Sequence, residues 1–408
     1  MIAKPRMRSA RRRLLRSFAS AALLPAAALA DSRPEPRTLK IRPLPADERM
    51  AQIHSDGAWL WAVSHAATLW QHTGDRWRRI AEGISPATPP ASGHGFVAAR
   101  TVEGALWTLS NGTRRSSVDG VQLLPHARLL VTRSAIFGVA RGQSGEPRLL
   151  RLEAELDRWE PAAVAPPVMQ PDTRPIAYSL DPQQGSEAEP DVVVFGRGEP
   201  GRAGGAETAR LLSLDYRTLR VLRSLAPSPP HSLADMTPRP LVWRGRPSLL
   251  TVRVGPNGAR LAVIAAAPGA PQGLEVIALG APLGEGRSLL PITDGRQLLA
   301  VHAPHVEGAL HLYEPDPAEL GALRSRLLLL GVNMQPTGAR ELDAAAWSGP
   351  RLVLPSQDRR QLLVLDSDAD FVARSAIMLS ADAAAVHAHR DGVAVLDTEG
   401  RVGWAQLP

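Results

Sequence analysis

The chain has 408 residues, no cysteine and a formal net charge of +7, with 47 Lys and Arg against 40 Asp and Glu. Seven of those bases (Lys4, Arg6, Arg8, Arg11, Arg12, Arg13 and Arg16) fall in the first thirty residues, which hold no acid, so the remainder is formally neutral. Neutrality argues against nucleic acid as a partner, because phosphate binding is driven by charge neutralisation and counterion release; the absence of cysteine excludes disulfides, thiolate metal sites, covalent c-type haem and a lipidated cysteine.

The basic run is followed by an apolar stretch, Phe18 to Ala30, that contains Pro25 and ends Ala28-Leu29-Ala30 before Asp31. This is the order of a secretory signal, and residues 1–30 are expected to be a cleavable leader. The apolar stretch is shorter than the roughly twenty residues that span a bilayer, so no transmembrane anchor is expected. Arg11-Arg12-Arg13-Leu14-Leu15-Arg16 also resembles a twin-arginine signal, which would export an already folded protein. Export through the general secretory route and through the twin-arginine route both remain open, and either places the product in the periplasm or outside the cell.

Residues 31–37 read as a polar, proline-containing tether, and residues 38–408 as β-structure. Runs such as Ala58-Trp59-Leu60-Trp61-Ala62-Val63, Asp191-Val192-Val193-Val194-Phe195 and Ser248-Leu249-Leu250-Thr251-Val252-Arg253-Val254 are short, β-branched or aromatic, and bounded by Gly, Pro, Asp or Asn. One helix candidate stands out, Pro317 to Leu330, although Ser325 to Leu330 reads equally well as an outer strand. The strands fall into groups of about four recurring about every fifty residues, the period of propeller blades. With the second strand of each group as marker, groups start near Ala58, Ala105, Ala135, Asp191, Ser248, Leu298, Arg351 and Gly392. The fold class predicted is all-β, a single closed β-propeller with eight blades by count; the second group is short, so seven remains open.

A Leu-Asp pair followed by a turn recurs at Leu214-Asp215, Leu365-Asp366 and Leu396-Asp397. Aspartate suits that place because its carboxylate accepts from backbone N–H groups two residues on, so the repeat is architectural. The last group supplies three strands, and Thr38 to Arg42 is the natural fourth. That pairing of the two ends of the chain would close the ring and remove the open sheet edge that invites aggregation.

The stretches Glu189-Pro190-Asp191-Val192-Val193-Val194-Phe195-Gly196 and Gly245-Arg246-Pro247-Ser248-Leu249-Leu250-Thr251-Val252 resemble the FG-GAP or VCBS repeats of bacterial propellers, a class similar to the integrin α-subunit propeller. The calcium loop such repeats carry is missing here, so the resemblance implies a fold but no calcium site. Leu212 to Leu222 is also similar to quinoprotein-type repeats, without their Thr-Gly turn and closing Trp.

Candidate sites are few. Gly196-x-Gly198-x-x-Gly201 nominally matches a dinucleotide fingerprint, but Pro200 lies inside it and a further strand follows, which fits a glycine-rich hairpin better. Asp366, Asp368 and Asp370 alternate as in the first half of a calcium loop, with Phe371 where glycine is required. His302, His305 and His311 bracket a loop carrying Glu307, an arrangement that would suit either zinc or a ligand. His387 and His389 share one face of an inner strand and would point to the central channel. The early tryptophans, Trp59, Trp61, Trp70, Trp77 and Trp107, fit blade packing better than a carbohydrate face. Lys40 is the one lysine after the leader, and no serine elbow, Ser-x-x-Lys or His-Glu-x-x-His motif is present. The function these residues support is a monomeric binding or scaffold propeller of the bacterial envelope, holding a protein or small-molecule ligand. The alternative is a hydrolase or metal-assisted lactonase-like propeller with a loop-built site. No cofactor is specified by these residues.

Overall fold

A computed structural model of the chain describes residues 37–44, 46–74, 76–181, 189–197, 209–270, 272–304, 308–334 and 344–408. The leader and all but the last residue of the tether therefore lie outside the described residues. The rest is β-structure, with no α-helix among the described residues and a single 3-10 turn at Ser367–Ala369.

Thirty-two of the 34 described strands group into eight four-stranded antiparallel blades, and Ser232–Leu233 links blades 4 and 5. Blade 1 comprises Met50–Ser55, Leu60–Ser64, Thr68–His72 and Trp77–Glu82; blade 2, Ala91–Gly93, Phe96–Arg100, Leu106–Ser110 and Thr113–Ser117. Blades 3 and 4 run from Leu130–Val131 to Arg158–Val164 and from Ile176–Ala177 to Val221–Leu225. Blade 5 starts at Arg239–Trp243 and ends at Leu274–Gly280, blade 6 starts at Leu289–Ile292 and ends at Ala322–Leu330, and blade 7 starts at Ala346–Ser348 and ends at Val372–Met378. Blade 8 holds Ala383–His389, Gly392–Asp397 and Val402–Gln406, and takes its outer strand from Arg42–Pro43.

Why these segments make a ring is visible in their second strands. Leu60–Ser64, Val192–Phe195, Leu298–Val301 and Leu352–Pro355 are buried on both faces, so they read as unbroken apolar runs with no polar partner between. Because side chains alternate along a strand, such a run feeds two cores at once. Leu298 and Ala300 pack toward blade 5, while Leu299 and Val301 pack toward blade 7. Val192 and Val194 join the core shared with blade 3, and Val193 and Phe195 the core shared with blade 5.

The described residues contain one such core between each consecutive pair of blades, eight in all. The eighth joins the ends of the ring: Leu44, Met50, Ile53 and Leu60 pack with Ala385, Ala394, Leu396 and Val402. Eight interfaces require eight blades, and the seven-blade option falls.

Closure differs in detail from the expectation. The single strand Thr38 to Arg42 is in fact two. Arg37–Leu39 pairs in parallel with Ser375–Ile377 on the rim of blade 7, and Arg42–Pro43 then pairs antiparallel with Gly403 and Trp404 of blade 8. The two blades are separate sheets, so one straight strand cannot pair with both. Leu39 and Ile41 fill the core between them, where the chain crosses.

Two further expectations are corrected. The helix candidate Pro317 to Leu330 is a turn followed by the outer strand Ala322–Leu330, because the pairing with Ala309–Pro315 overrides leucine's helical preference. In the short second group, Ala105 precedes the third strand of its blade, not the second, which is Phe96–Arg100. The Leu-Asp turns behave as the chemistry requires. Asp215 Oδ1 accepts from the N–H groups of Arg217 and Thr218 at 3.1 and 2.7 Å, Asp366 Oδ1 from Asp368 at 3.1 Å, and Asp397 Oδ1 from Glu399 and Arg401 at 2.9 Å each. The first two turns join third to outer strands, but that at Asp397 joins second to third, so the pair marks tight turns and not one fixed place in a blade.

Gly392 begins the second strand of blade 8 directly against the Ala405 carbonyl, and a Cβ placed there would overlap that oxygen. Gly392→Ala is therefore expected to lower unfolding free energy by about 3 kcal/mol, the upper part of the overpacking range, read as a fall in urea midpoint. A midpoint within error of the parent would show that the strand pair is looser than described.

Candidate functional site

The inner strand of every blade turns back into its second strand on one face of the ring, and in blades 8, 1 and 2 those turns bring polar side chains together. Each turn has a local cause. In blade 1, Asp56 Oδ1 accepts from Ala58 and Trp59 N–H at 3.1 and 2.8 Å, and Gly57 takes the left-handed φ of +89° the tight turn needs. In blade 2 the two central residues, His94 and Gly95, both have positive φ, the signature of a two-residue hairpin turn matched to strand twist.

His54, on the inner strand of blade 1, accepts the Ser92 backbone N–H of blade 2 at its Nε2, 3.1 Å away. That bond makes Nε2 the unprotonated nitrogen of a neutral ring. Ser92 Oγ in turn donates to Asp56 Oδ2 at 2.7 Å. On the other side His387 meets the His54 ring edge to face at a centroid distance of 6.0 Å. His389, 3% exposed, places Nδ1 3.1 Å from Ser55 Oγ, and Arg390 N–H donates to the Gly57 carbonyl at 2.9 Å. His387 and His389 thus lie at the seam between blades 8 and 1. His389 is held below its ordinary pKa first by burial and then by the positive charges of Arg390 and His72, with Asp56 and Asp391 opposing.

Beside this cluster a cavity of about 140 Å³ opens where blade 8 meets blade 1. Arg42 and Leu44 of the closing segment, His72 and Gly74 of blade 1, and His389, Arg390 and Trp404 of blade 8 line it.

The other sequence-derived candidates are elsewhere. His302 is half-buried at the edge of the core between blades 5 and 6, with its Nε2 2.6 Å from the Tyr313 hydroxyl and its ring stacked on His311 at 3.8 Å. Burial, with the charges of His311 and Arg287, brings His302 down to about 4; burial also lowers His311 and raises the Tyr313 hydroxyl. His305 and Glu307 lie outside the described residues, so the loop half of that proposed site is not placed. Asp366, Asp368 and Asp370 are on blade 7, and two of the three face arginine. Asp366 bridges Arg351 and Arg374 at 2.6 and 3.3 Å, and Asp370 holds Arg326 through both carboxylate oxygens. Among the described residues no group of three or more His, Asp or Glu side chains is placed to hold a metal ion. Gly196 lies within the second strand of blade 4, Val192–Arg197; Gly198 and Gly201 lie outside the described residues.

Of the early tryptophans, Trp61, Trp70 and Trp107 are buried between blades and Trp77 ties its Nε1 to the Leu44 carbonyl at 3.1 Å, while Trp59 stands half exposed. His54, Asp56, Ser92 and Arg390 were not singled out by the sequence. The one available signal was the position of His54 on the first strand after the closing segment, which ring closure sets beside the last blade.

No family model and no curated protein matches the sequence. Solved structures do. The chain is similar to BamB from Moraxella catarrhalis over 91% of its own length and 97% of that chain, with 13% identity and a TM-score of 0.55. It is similar to the computationally designed Ika8 protein over 91% and 100% (11% identity, TM-score 0.54) and to Sqt1 of Saccharomyces cerevisiae over 91% and 99% (12% identity, TM-score 0.52). At these identities the likeness is one of fold, and it places this chain among the β-propellers.

Proposed function

We propose that the chain is an exported propeller of the bacterial envelope that works as a binding or scaffold protein, presenting its ligand surface at the mouth formed by the inner turns of blades 8, 1 and 2. The observation that carries this reading is the convergence of His54, Asp56, Ser92, His387 and His389 from three blades on one face. Hydrogen-bonding groups held on rigid strands suit recognition. Export is supported by the leader pattern of residues 1–30, and no helix of the described residues is long and apolar enough to cross a membrane.

The hydrolase reading has one contact in its favour, Ser55 Oγ to His389 Nδ1, the hydroxyl–imidazole pairing a nucleophile needs. The same hydroxyl accepts the Gly57 N–H at 3.1 Å and is thereby held in the blade 1 turn, so this one contact favours the hydrolase reading less than the three-blade convergence favours binding.

A photo-crosslinking residue at position 387, compared with one at the exposed rim residue Leu320, tests the binding reading in intact bacteria. Adducts are expected at 387 and not at 320, on a protein whose first residue is Asp31. Equal adduct yields at both positions, or a protein that stays in the cytoplasm with its first thirty residues, would overturn it.

A further inference from the structure

The cavity at the seam gathers two exposed arginines, one from the closing segment and one from blade 8. Arg42 and Arg390 both line the cavity, yet among the described residues neither guanidinium has an ion-pair or hydrogen-bond partner, and no carboxylate stands among the lining residues. Two imidazoles complete the polar part of the wall, His72 and His389, both buried. Leu44 and Trp404 supply the apolar part.

We propose that this cavity binds a small organic anion, a carboxylate on a short apolar stem, with Arg42 and Arg390 holding the carboxylate and Leu44 and Trp404 packing the stem. A guanidinium matches a carboxylate in shape as well as charge, giving two parallel charge-assisted hydrogen bonds. An indole face beside a leucine is a wall for a flat or short apolar body. The volume, about 140 Å³, is room enough for a compact acid.

The position gives such a ligand a consequence. Its contacts come from the closing segment and the first blade at one end of the chain and from the last blade at the other, and these two ends meet only by non-covalent pairing. A ligand that binds only the closed ring stabilises it in proportion to ln(1 + [L]/Kd). The site adjoins the mouth and shares His389 with it, but Arg42 and Arg390 are outside the cluster that carries the binding reading, so the inference stands whether or not the mouth recruits a protein.

The test uses the mature protein with benzoate as probe and inorganic phosphate as comparator, both at constant ionic strength against chloride. Benzoate is expected to raise the melting temperature in a saturable way and to bind one mole per mole in equilibrium dialysis. The double variant Arg42→Gln/Arg390→Gln is expected to lose at least tenfold in benzoate affinity, while Arg244→Gln, on a distant turn, binds as the parent does. Far-UV circular dichroism checks that the variant keeps its sheet, and dialysis reads binding independently of melting. No benzoate effect beyond chloride, an effect that survives the double substitution, or binding of phosphate alone would overturn the assignment.

Discussion

A chain that starts at Ala46, lacking the closing segment, is expected to lose the cooperative ring. The truncation removes three attachments together. Arg37–Leu39 leaves the rim of blade 7, Arg42–Pro43 leaves the outer edge of blade 8, and Leu44 leaves the core between blades 8 and 1. Leu44 is 6% exposed, so loss of its side chain alone is worth about 2–5 kcal/mol. Two bonds go with it: Leu44 N–H donates to the Val402 carbonyl at 2.9 Å and the Leu44 carbonyl accepts from Trp77 Nε1. Blade 8 is left with three strands and a bare edge at Val402–Gln406, a surface on which another chain can pair. Set against the 5–15 kcal/mol by which domains are ordinarily stable, these losses are most of the margin. Urea unfolding followed by tryptophan fluorescence should show the midpoint falling by more than half, with aggregation at high protein concentration. Leu44→Ala in the intact chain is expected to fall by about 2–4 kcal/mol with a single transition retained. A truncated chain with the parent's midpoint would mean that the other seven interfaces hold the ring without the eighth.

The parts of this fold that were legible in the sequence are those set by local chemistry. A second strand buried on both faces must be a short apolar run, and the segments at Asp191 and Leu298 announced themselves as such. Asp215, Asp366 and Asp397 cap tight turns through their own backbone neighbours, so sequence alone assigned their role. The two stretches that resemble FG-GAP repeats enter second strands of blades 4 and 5 at the same point, which explains why they look alike. Where tertiary pairing decides, the sequence was ambiguous. Leucines between Pro317 and Leu330 suit a helix and a rim strand equally, and only the partner strand chooses. The site was harder still, because its contacts are between blades. Ser55 and His389 are 334 residues apart and become hydrogen-bond partners only when the ring closes. His302 and His387 were both visible as candidates, but which neighbouring blade each faces follows from strand parity, which a one-residue shift would reverse.

Between pH 6.5 and about 4 the protein is expected to become less stable as acid is added, with His302 the main cause. Its ring lies between blades 5 and 6, bonded to the Tyr313 hydroxyl and stacked on His311, where burial penalises the charged form and the neighbouring His311 and Arg287 add repulsion. The folded protein therefore keeps His302 neutral down to about 4, while an unfolded chain protonates it near 6.5. Across that window the unfolded state binds more protons, so unfolding free energy falls as pH falls, and the full contribution is present above 6.5. His311 and His389, lowered by burial, act in the same direction. One fully shielded group would give about 1.4 kcal/mol per pH unit over the window; part of the His302 ring meets solvent, and on the order of 2 kcal/mol in total is the expected loss. Carboxylates held below their ordinary range, such as Glu48 and Asp215, lose stability at still lower pH, so a comparison of pH 5.5 with pH 7 isolates the imidazoles. His302→Gln retains a side chain able to meet the Tyr313 hydroxyl but cannot take up a proton. Urea midpoints of that variant should change much less between pH 7 and 5.5 than those of the parent. An equal slope in both proteins would assign the acid sensitivity to the seam at His389 and not to the stacked pair in blade 6.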